Sequence, residues 1–356
     1  MSVDVYRAND VLASADLTFV TDELRPYLAG LLGREQAAWK ERGAPWWDPP
    51  EALAAYLDGG KALRPRFCYW GHALGGEGTS PLLAQACAAL ELLHAFALIH
   101  DDLMDNSDTR RGRPALHRRI AAQHRQYDWA GDPDGYGHAM ALLTGDLAFA
   151  IASRLAAALP APAVAVWSRM VDDLVLGQFL DLAGTARRDR SVEVARTTTL
   201  LKSGQYTVTD PLRLGAALAG VPELPPALAR YGDLVGEAFQ LRDDLLGVFG
   251  DPQLTGKPAG EDLTCGKPTQ LLAYAAQMLP PGGQALLALA GTPAFTDADV
   301  AALTGELVRC GARDRVERKV RDNVDAACAL LHRDGLPPRV AAALRRLAAA
   351  ATERQQ

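Results

Sequence analysis

Residues 81–105 read PLLAQACAALELLHAFALIHDDLMD. Ala and Leu dominate this run, which favours helix over strand, and it ends in three aspartates, Asp101, Asp102 and Asp105. At 3.6 residues per turn Asp101 and Asp105 project from one face. Like charges at that spacing repel, so the arrangement costs stability unless a cation sits between them. Carboxylate oxygens suit hard cations, and Mg²⁺ commonly takes one or two carboxylates plus substrate phosphate oxygens. Upstream, Glu91 and His94 extend the same stripe, with spacings of 3, 7 and 4 down to Asp105. A polar stripe on an apolar helix must face water, a partner or a ligand cavity. Aspartates at a helix C-terminus oppose the dipole, which favours the cavity over a plain surface helix.

The remainder of the 356 residues repeats this texture. Helix-spaced apolar stretches, among them Pro81–Asp105, His138–Leu159, Ala163–Leu182 and Ala227–Phe249, alternate with Pro/Gly breaks. The breaks fall at 44–50, 128–137, 160–162, 184–191, 220–226, 250–267, 280–296 and 335–338. No alternation of period two is long enough for a sheet, and no break reads as a flexible linker. The expectation is one all-α domain over 1–356, its core at roughly 20–350, with about 15 N-terminal residues and the last few disordered. A net charge of −6 argues against a nucleic-acid partner. Five scattered cysteines without a C-x-x-C pair read as reduced thiols of a cytoplasmic protein. The charged N-terminus is not a signal peptide, and no window offers the roughly 20 uninterrupted apolar residues of a membrane span.

Cations cluster around the acidic run. Thr109-Arg110-Arg111-Gly112-Arg113-Pro114 follows it directly, a turn whose arginines offer planar forks to phosphate oxygens. Before it stands Gly59-Gly60-Lys61-Ala62-Leu63-Arg64-Pro65, where glycines let backbone N–H groups approach an anion, although no Walker loop is present. A second acidic pair, Asp243-Asp244, lies with Gln240 at helical spacing. Two Gly-Lys-Pro steps follow, carrying Lys257 and Lys267, and Lys202-Ser203-Gly204 adds a further candidate. Only six of 37 basic residues are Lys, and four of those six fall in these segments.

In this order GGKALRP, ELLHAFALIHDDLMD with DTRRGRP, and FQLRDDLLGVFGD with GKPAGEDLTCGKPT closely resemble the motifs of the trans-polyprenyl diphosphate synthases, bacterial geranylgeranyl diphosphate synthases most of all. The resemblance implies an all-α bundle of the isoprenoid synthase type around a deep central cavity, acting as a homodimer. It implies that Asp101, Asp102 and Asp105 hold Mg²⁺ on the allylic diphosphate, with Asp243, backed by Asp244, holding a further ion from the opposite wall. Three ions with substrate bound are expected. Lys61, Arg64, His94 and Arg111 would bind isopentenyl diphosphate; Arg110, Lys202, Ser203, Gln240, Lys257 and Lys267 would grip the allylic diphosphate. The aspartates and Lys202 would carry the catalysis.

Three positions depart from the family pattern. Gly247 stands where the second motif often has its third Asp, Ser203 replaces a usual Thr, and Ala62 replaces a common basic residue. In the family a large aromatic at the place of Phe96, beside Ala97, forms a cavity floor. With no insertion between Asp102 and Asp105, this implies a twenty-carbon geranylgeranyl product, fifteen carbons being the runner-up. A terpene cyclase would not need Lys61, Arg64 and His94. A di-iron bundle would need a second Glu-x-x-His, which is missing, and a non-catalytic partner subunit fits poorly with intact acidic clusters.

Overall fold

The structure, a computed structural model, describes residues 15–43, 48–57, 60–76, 79–251, 259–332 and 335–353. The expected disordered N-terminal tail and Lys257 therefore lie outside the described residues. Two compact units form, one of residues 1–165 and 214–222, the other of 166–213 and 223–356. The fold is all-α. Among the described residues the only strands are β1 (Thr109–Arg110) and β2 (Arg113–Pro114).

In the first unit, α1 (Arg25–Glu41), α2 (Pro49–Leu57), α3 (Leu63–His72) and α4 (Pro81–Met104) precede the β1–β2 hairpin, and α5 (Leu116–Gln126) and α6 (Pro133–Ala157) follow it. The quoted run forms α4, the unit's core helix, which buries Leu83, Leu90, Leu92 and Leu93 completely and lies along α6. Small residues permit that approach. Ala141, Ala148 and Ala152 of α6 are fully buried, and a Cβ on Gly145 would overlap the His100 ring. By length and composition α4 and α6 could each cross a membrane; 61% of the relevant window of α4 is buried inside the protein, against 39% for α6.

The break expected at 128–137 gives way to helix from Pro133. Proline at the first position costs no helical hydrogen bond, and Asp132 caps the start by accepting from the N–H groups of Asp134 (3.2 Å) and Gly135 (2.9 Å). Gly137 serves packing rather than a turn, because a side chain there would strike the His117 carbonyl.

The second unit contains residues 166–187 of α7 (Ala161–Arg187), then α8 (Val192–Thr199), a π-helix (Leu200–Thr209) and the start of α9 (Asp210–Leu218). It continues with α10 (Pro226–Phe249), α11 (Gln270–Met278), α12 (Asp297–Arg309), α13 (Ala312–Leu330) and α14 (Pro338–Thr352). Leu241, Leu245, Leu271, Leu272, Leu303 and Val316 form its core. Two further breaks are corrected. Helix α7 runs through Gly184, where the missing side chain leaves room for Pro268. The segment 280–296 holds a helix at Pro281–Leu289, again started by proline.

The π-helix is wedged between glycines. A Cβ on Gly177 of α7 would lie 2.7 Å from Lys202 Cα, and one on Gly236 of α10 would lie 2.6 Å from the Gly204 carbonyl oxygen. Such wide turns are rare and recur at functional sites. Here the wide turn carries Lys202 and Ser203.

Candidate active site

The first acidic cluster closes α4. Asp101 and Asp102 lie in its last turn, and Asp105 follows it, donating its N–H to the Asp101 carbonyl at 2.8 Å. The hairpin then turns through Arg111 and Gly112, both at positive φ (54° and 71°), as a tight two-residue turn requires. This fold-back delivers Arg110 to the acids. Its Nε donates to Asp102 Oδ1 at 2.9 Å, its Nη2 reaches the same oxygen, and Asp101 Oδ2 lies at 3.5 Å. Asp102, only 1% exposed, takes the closer contacts of Arg110, while Asp101 and Asp105 are half-buried.

Beside this lies a cationic corner. Arg111 Nη1 donates to the Tyr56 carbonyl at 3.3 Å, and its guanidinium covers Gly60. Lys61 is exposed and Arg64, in the first turn of α3, is buried. Burial pushes the Glu91 carboxyl up, and the charges of Arg64 and Arg111 oppose that shift. His94 lies half-buried one turn further along α4. Tyr56 was not singled out in the sequence. Its hydroxyl is pushed up to about 12 by burial and by the Asp102 charge.

Phe96 and Ala97 are half-buried on α4. The Phe96 ring packs between His100 and Phe149, at centroid distances of 4.5 and 5.0 Å. A helical wheel separates Phe96 from the aspartates; the neighbour that closes around it comes from α6.

The second cluster is built on α10. Asp243 is half-buried and Asp244 is 3% exposed. Gln240 donates to Asp244 Oδ1 at 2.9 Å, whereas buried Oδ2 has no hydrogen-bond partner. Burial drives the Asp244 carboxyl up to about 8 against that hydrogen bond, and the charges of Asp262, Asp243 and Asp181 add to the rise. Lysines face these acids: Lys202 Nζ is 2.5 Å from Asp181 Oδ2, and Lys267 Nζ is 3.9 Å from Asp262 Oδ1. The Asp262 carboxylate occupies the place where a Cβ on Gly247 would stand. A carboxylate therefore fills the region of the motif's missing third aspartate, brought there by the short helix Glu261–Thr264, 15 residues on. Asp181 escapes a sequence reading because it is a lone Asp outside the motifs, and Asp262 because it sits inside the quoted GKPAGEDLTCGKPT segment, whose lysines draw the reading.

Within the described residues no three metal-binding side chains converge as a ready-made cage. Mg²⁺, which keeps several waters and shares its shell with phosphate oxygens, does not need one. Its fit rests on donor chemistry: the carboxylates around Asp244 repel one another, and one buried oxygen lacks a donor. A hard cation relieves both.

An all-α fold with two acidic segments, each answered by its own Arg or Lys, is the arrangement expected of the isoprenoid synthase class, and the fold is that of this class. Within that class, the polyprenyl synthetase family model matches residues 50–307. The chain is 30% identical to (2E,6E)-farnesyl diphosphate synthase of Mycobacterium tuberculosis over 354 residues, covering 97% of this chain and 91% of that protein. It is 33% identical to the same organism's geranylgeranyl diphosphate synthase over 293 residues, covering 80% and 78%. The structure matches that of Corynebacterium glutamicum geranylgeranyl pyrophosphate synthase, determined with isoprenyl diphosphate and magnesium. The TM-score is 0.82 at 35% identity, over 94% of this chain and 99% of that one. The chain belongs to the polyprenyl synthetase family, whose members are prenyltransferases.

Proposed function

We propose that this protein condenses isopentenyl diphosphate with allylic diphosphates to make a short-chain all-trans polyprenyl diphosphate, and that the product is geranylgeranyl diphosphate. The observation that carries the reading is that each acidic cluster pairs with a fixed cation: Asp102 with Arg110 across the hairpin, and Asp181 with Lys202 from another element. Carboxylates and fixed cations together are what a metal-bound diphosphate requires.

In this reading Asp101, Asp105 and Asp243 hold Mg²⁺, three ions with substrate bound, while Asp102 holds Arg110 and Asp244 supports Asp243. Bound there, Mg²⁺ would supply the positive charge that a leaving diphosphate needs. Arg110, Lys202, Ser203, Gln240, Lys257 and Lys267 orient the allylic diphosphate. Lys61, Arg64, His94 and Arg111 hold isopentenyl diphosphate so that its double bond meets the allylic carbon as the carbon–oxygen bond breaks, and the proton then lost from the isopentenyl unit goes to the departing diphosphate. The apolar faces around Phe96 exclude water from the reacting carbons. We take both units as one catalytic domain of a cytoplasmic homodimer. Exposed Val175, Leu176 and Phe179 on α7, and Leu142 and Leu143 on α6, are suited to face a second copy.

Purified protein is mixed with Mg²⁺, labelled isopentenyl diphosphate and five-, ten- or fifteen-carbon allylic starters, and the dephosphorylated lipids are sized. Twenty-carbon alcohol is the expected outcome. Consumption of an allylic diphosphate without isopentenyl diphosphate would instead identify a cyclase, and no incorporation at all would reject the assignment.

A further inference from the structure

Tyr56, near the end of α2, belongs to none of the acidic or basic motifs, yet two of its groups reach the residues assigned above to two different substrates. Its hydroxyl donates to Asp102 Oδ2 at 3.5 Å and accepts from the Leu116 N–H at 3.3 Å. Its backbone carbonyl accepts from Arg111 Nη1 at 3.3 Å. Asp102 in turn holds Arg110 through its other oxygen. Leu116 is the first residue of α5, immediately beyond the hairpin. The hydroxyl thus ties the residues on either side of the arginine hairpin, Asp102 before it and Leu116 after it, and the carbonyl ties its tip.

We propose that Tyr56 is a positioning residue that sets the two neighbouring arginines independently: Arg110 through the hydroxyl and Asp102, and Arg111 through the carbonyl. This rests on the assignment of Arg110 to the allylic diphosphate and Arg111 to isopentenyl diphosphate. The physical case is that successive residues of a two-residue hairpin share one backbone, so nothing in the turn itself fixes two long guanidinium side chains separately. Asp102 is buried and charged, and each donor it receives narrows the orientations open to its carboxylate. Without the hydroxyl, Asp102 Oδ2 loses a donor and the Asp102–Arg110 pair can rotate; the contact between Arg111 and the Tyr56 carbonyl remains.

Tyr56→Phe separates the two arms, because it deletes the hydroxyl and keeps the ring and the carbonyl. Calorimetric titration with inorganic pyrophosphate in excess Mg²⁺ reads the first arm, and titration with isopentenyl diphosphate in the absence of metal reads the second. The expected result is about three- to tenfold weaker pyrophosphate binding with isopentenyl diphosphate binding unchanged, the effect of losing one ordinary hydrogen bond, since the 3.5 Å contact to Asp102 is long. In turnover, the KM for the allylic substrate rises and that for isopentenyl diphosphate does not. Equal weakening of both ligands would show a general loosening and overturn the proposal, as would a variant indistinguishable from wild type. Wild-type protein that binds neither ligand also overturns it. Wild-type protein that binds both but forms no prenyl product rejects the proposed function while the split between ligands still tests Tyr56.

Discussion

Lys202 Nζ and Asp181 Oδ2 stand 2.5 Å apart, joining the π-helix to α7 inside the second unit. The lysine is an unbranched chain with a point charge at its tip, so its aim depends on what holds it. Asp181→Ala should release that aim and reduce activity about tenfold, mainly through the allylic KM. Lys202→Ala should be worse. The double variant should match Lys202→Ala alone, since Asp181 acts through the lysine. Additive losses in steady-state kinetics would show that Asp181 works separately.

The Asp262 carboxylate fills the space beside Gly247. Gly247→Ala should displace it and disturb the acids around Asp244, raising the Mg²⁺ concentration for half-maximal activity several-fold. Fold stability should fall by about 1–3 kcal/mol, the usual cost of overpacking. Gly247→Asp, which inserts the residue more usual in this motif, should act in the same direction because the space is already taken. A metal titration indistinguishable from wild type would count against this.

Phe96 packs between His100 and Phe149 on the apolar flank of α4. Truncation to Ala should open this flank and lengthen the products beyond those of the wild type. Chromatographic sizing of the dephosphorylated alcohols decides the matter, an unchanged distribution removing Phe96 from control of chain length.

Asp210, at the start of α9, is buried, and burial pushes its carboxyl from the usual 3.8 up to about 6. Arg213 opposes the rise, and the charges of Asp173 and Asp233 add to it. Because the folded protein favours the protonated form, this group's stabilisation is complete below about pH 4 and is lost as pH rises through about 6. The loss is on the order of 3 kcal/mol at 1.36 kcal/mol per pH unit. Asp210→Asn should therefore gain stability relative to wild type between pH 4 and 7 and hold a constant difference above. Denaturant melts across that range would show a flat difference if the carboxyl is not perturbed.

Helix content, the limits of α4 and α10, and the acidic and basic motifs were legible in the linear chain. They depend on local chemistry: helix-forming Ala and Leu, a proline at the first turn, and charges repeated three or four residues apart. Glycine serves two ends. Gly184 and Gly137 sit in segments that read as chain breaks, yet in the fold they are points of close packing inside helices, a distinction that only the neighbours Pro268 and the His117 carbonyl make.

Tertiary structure decided the pairings. That Asp102 turns inward to Arg110, that Asp181 meets Lys202 and that Asp262 fills the space beside Gly247 are contacts spanning 8, 21 and 15 residues. The hairpin turn sets the first, whereas close packing at Gly177 and Gly247 sets the other two, and no local rule orders those. The sequence by itself determined which charges are present and on which helices. Only the folded chain determined which of those charges hold one another, since that depends on burial and on distances between segments remote in sequence.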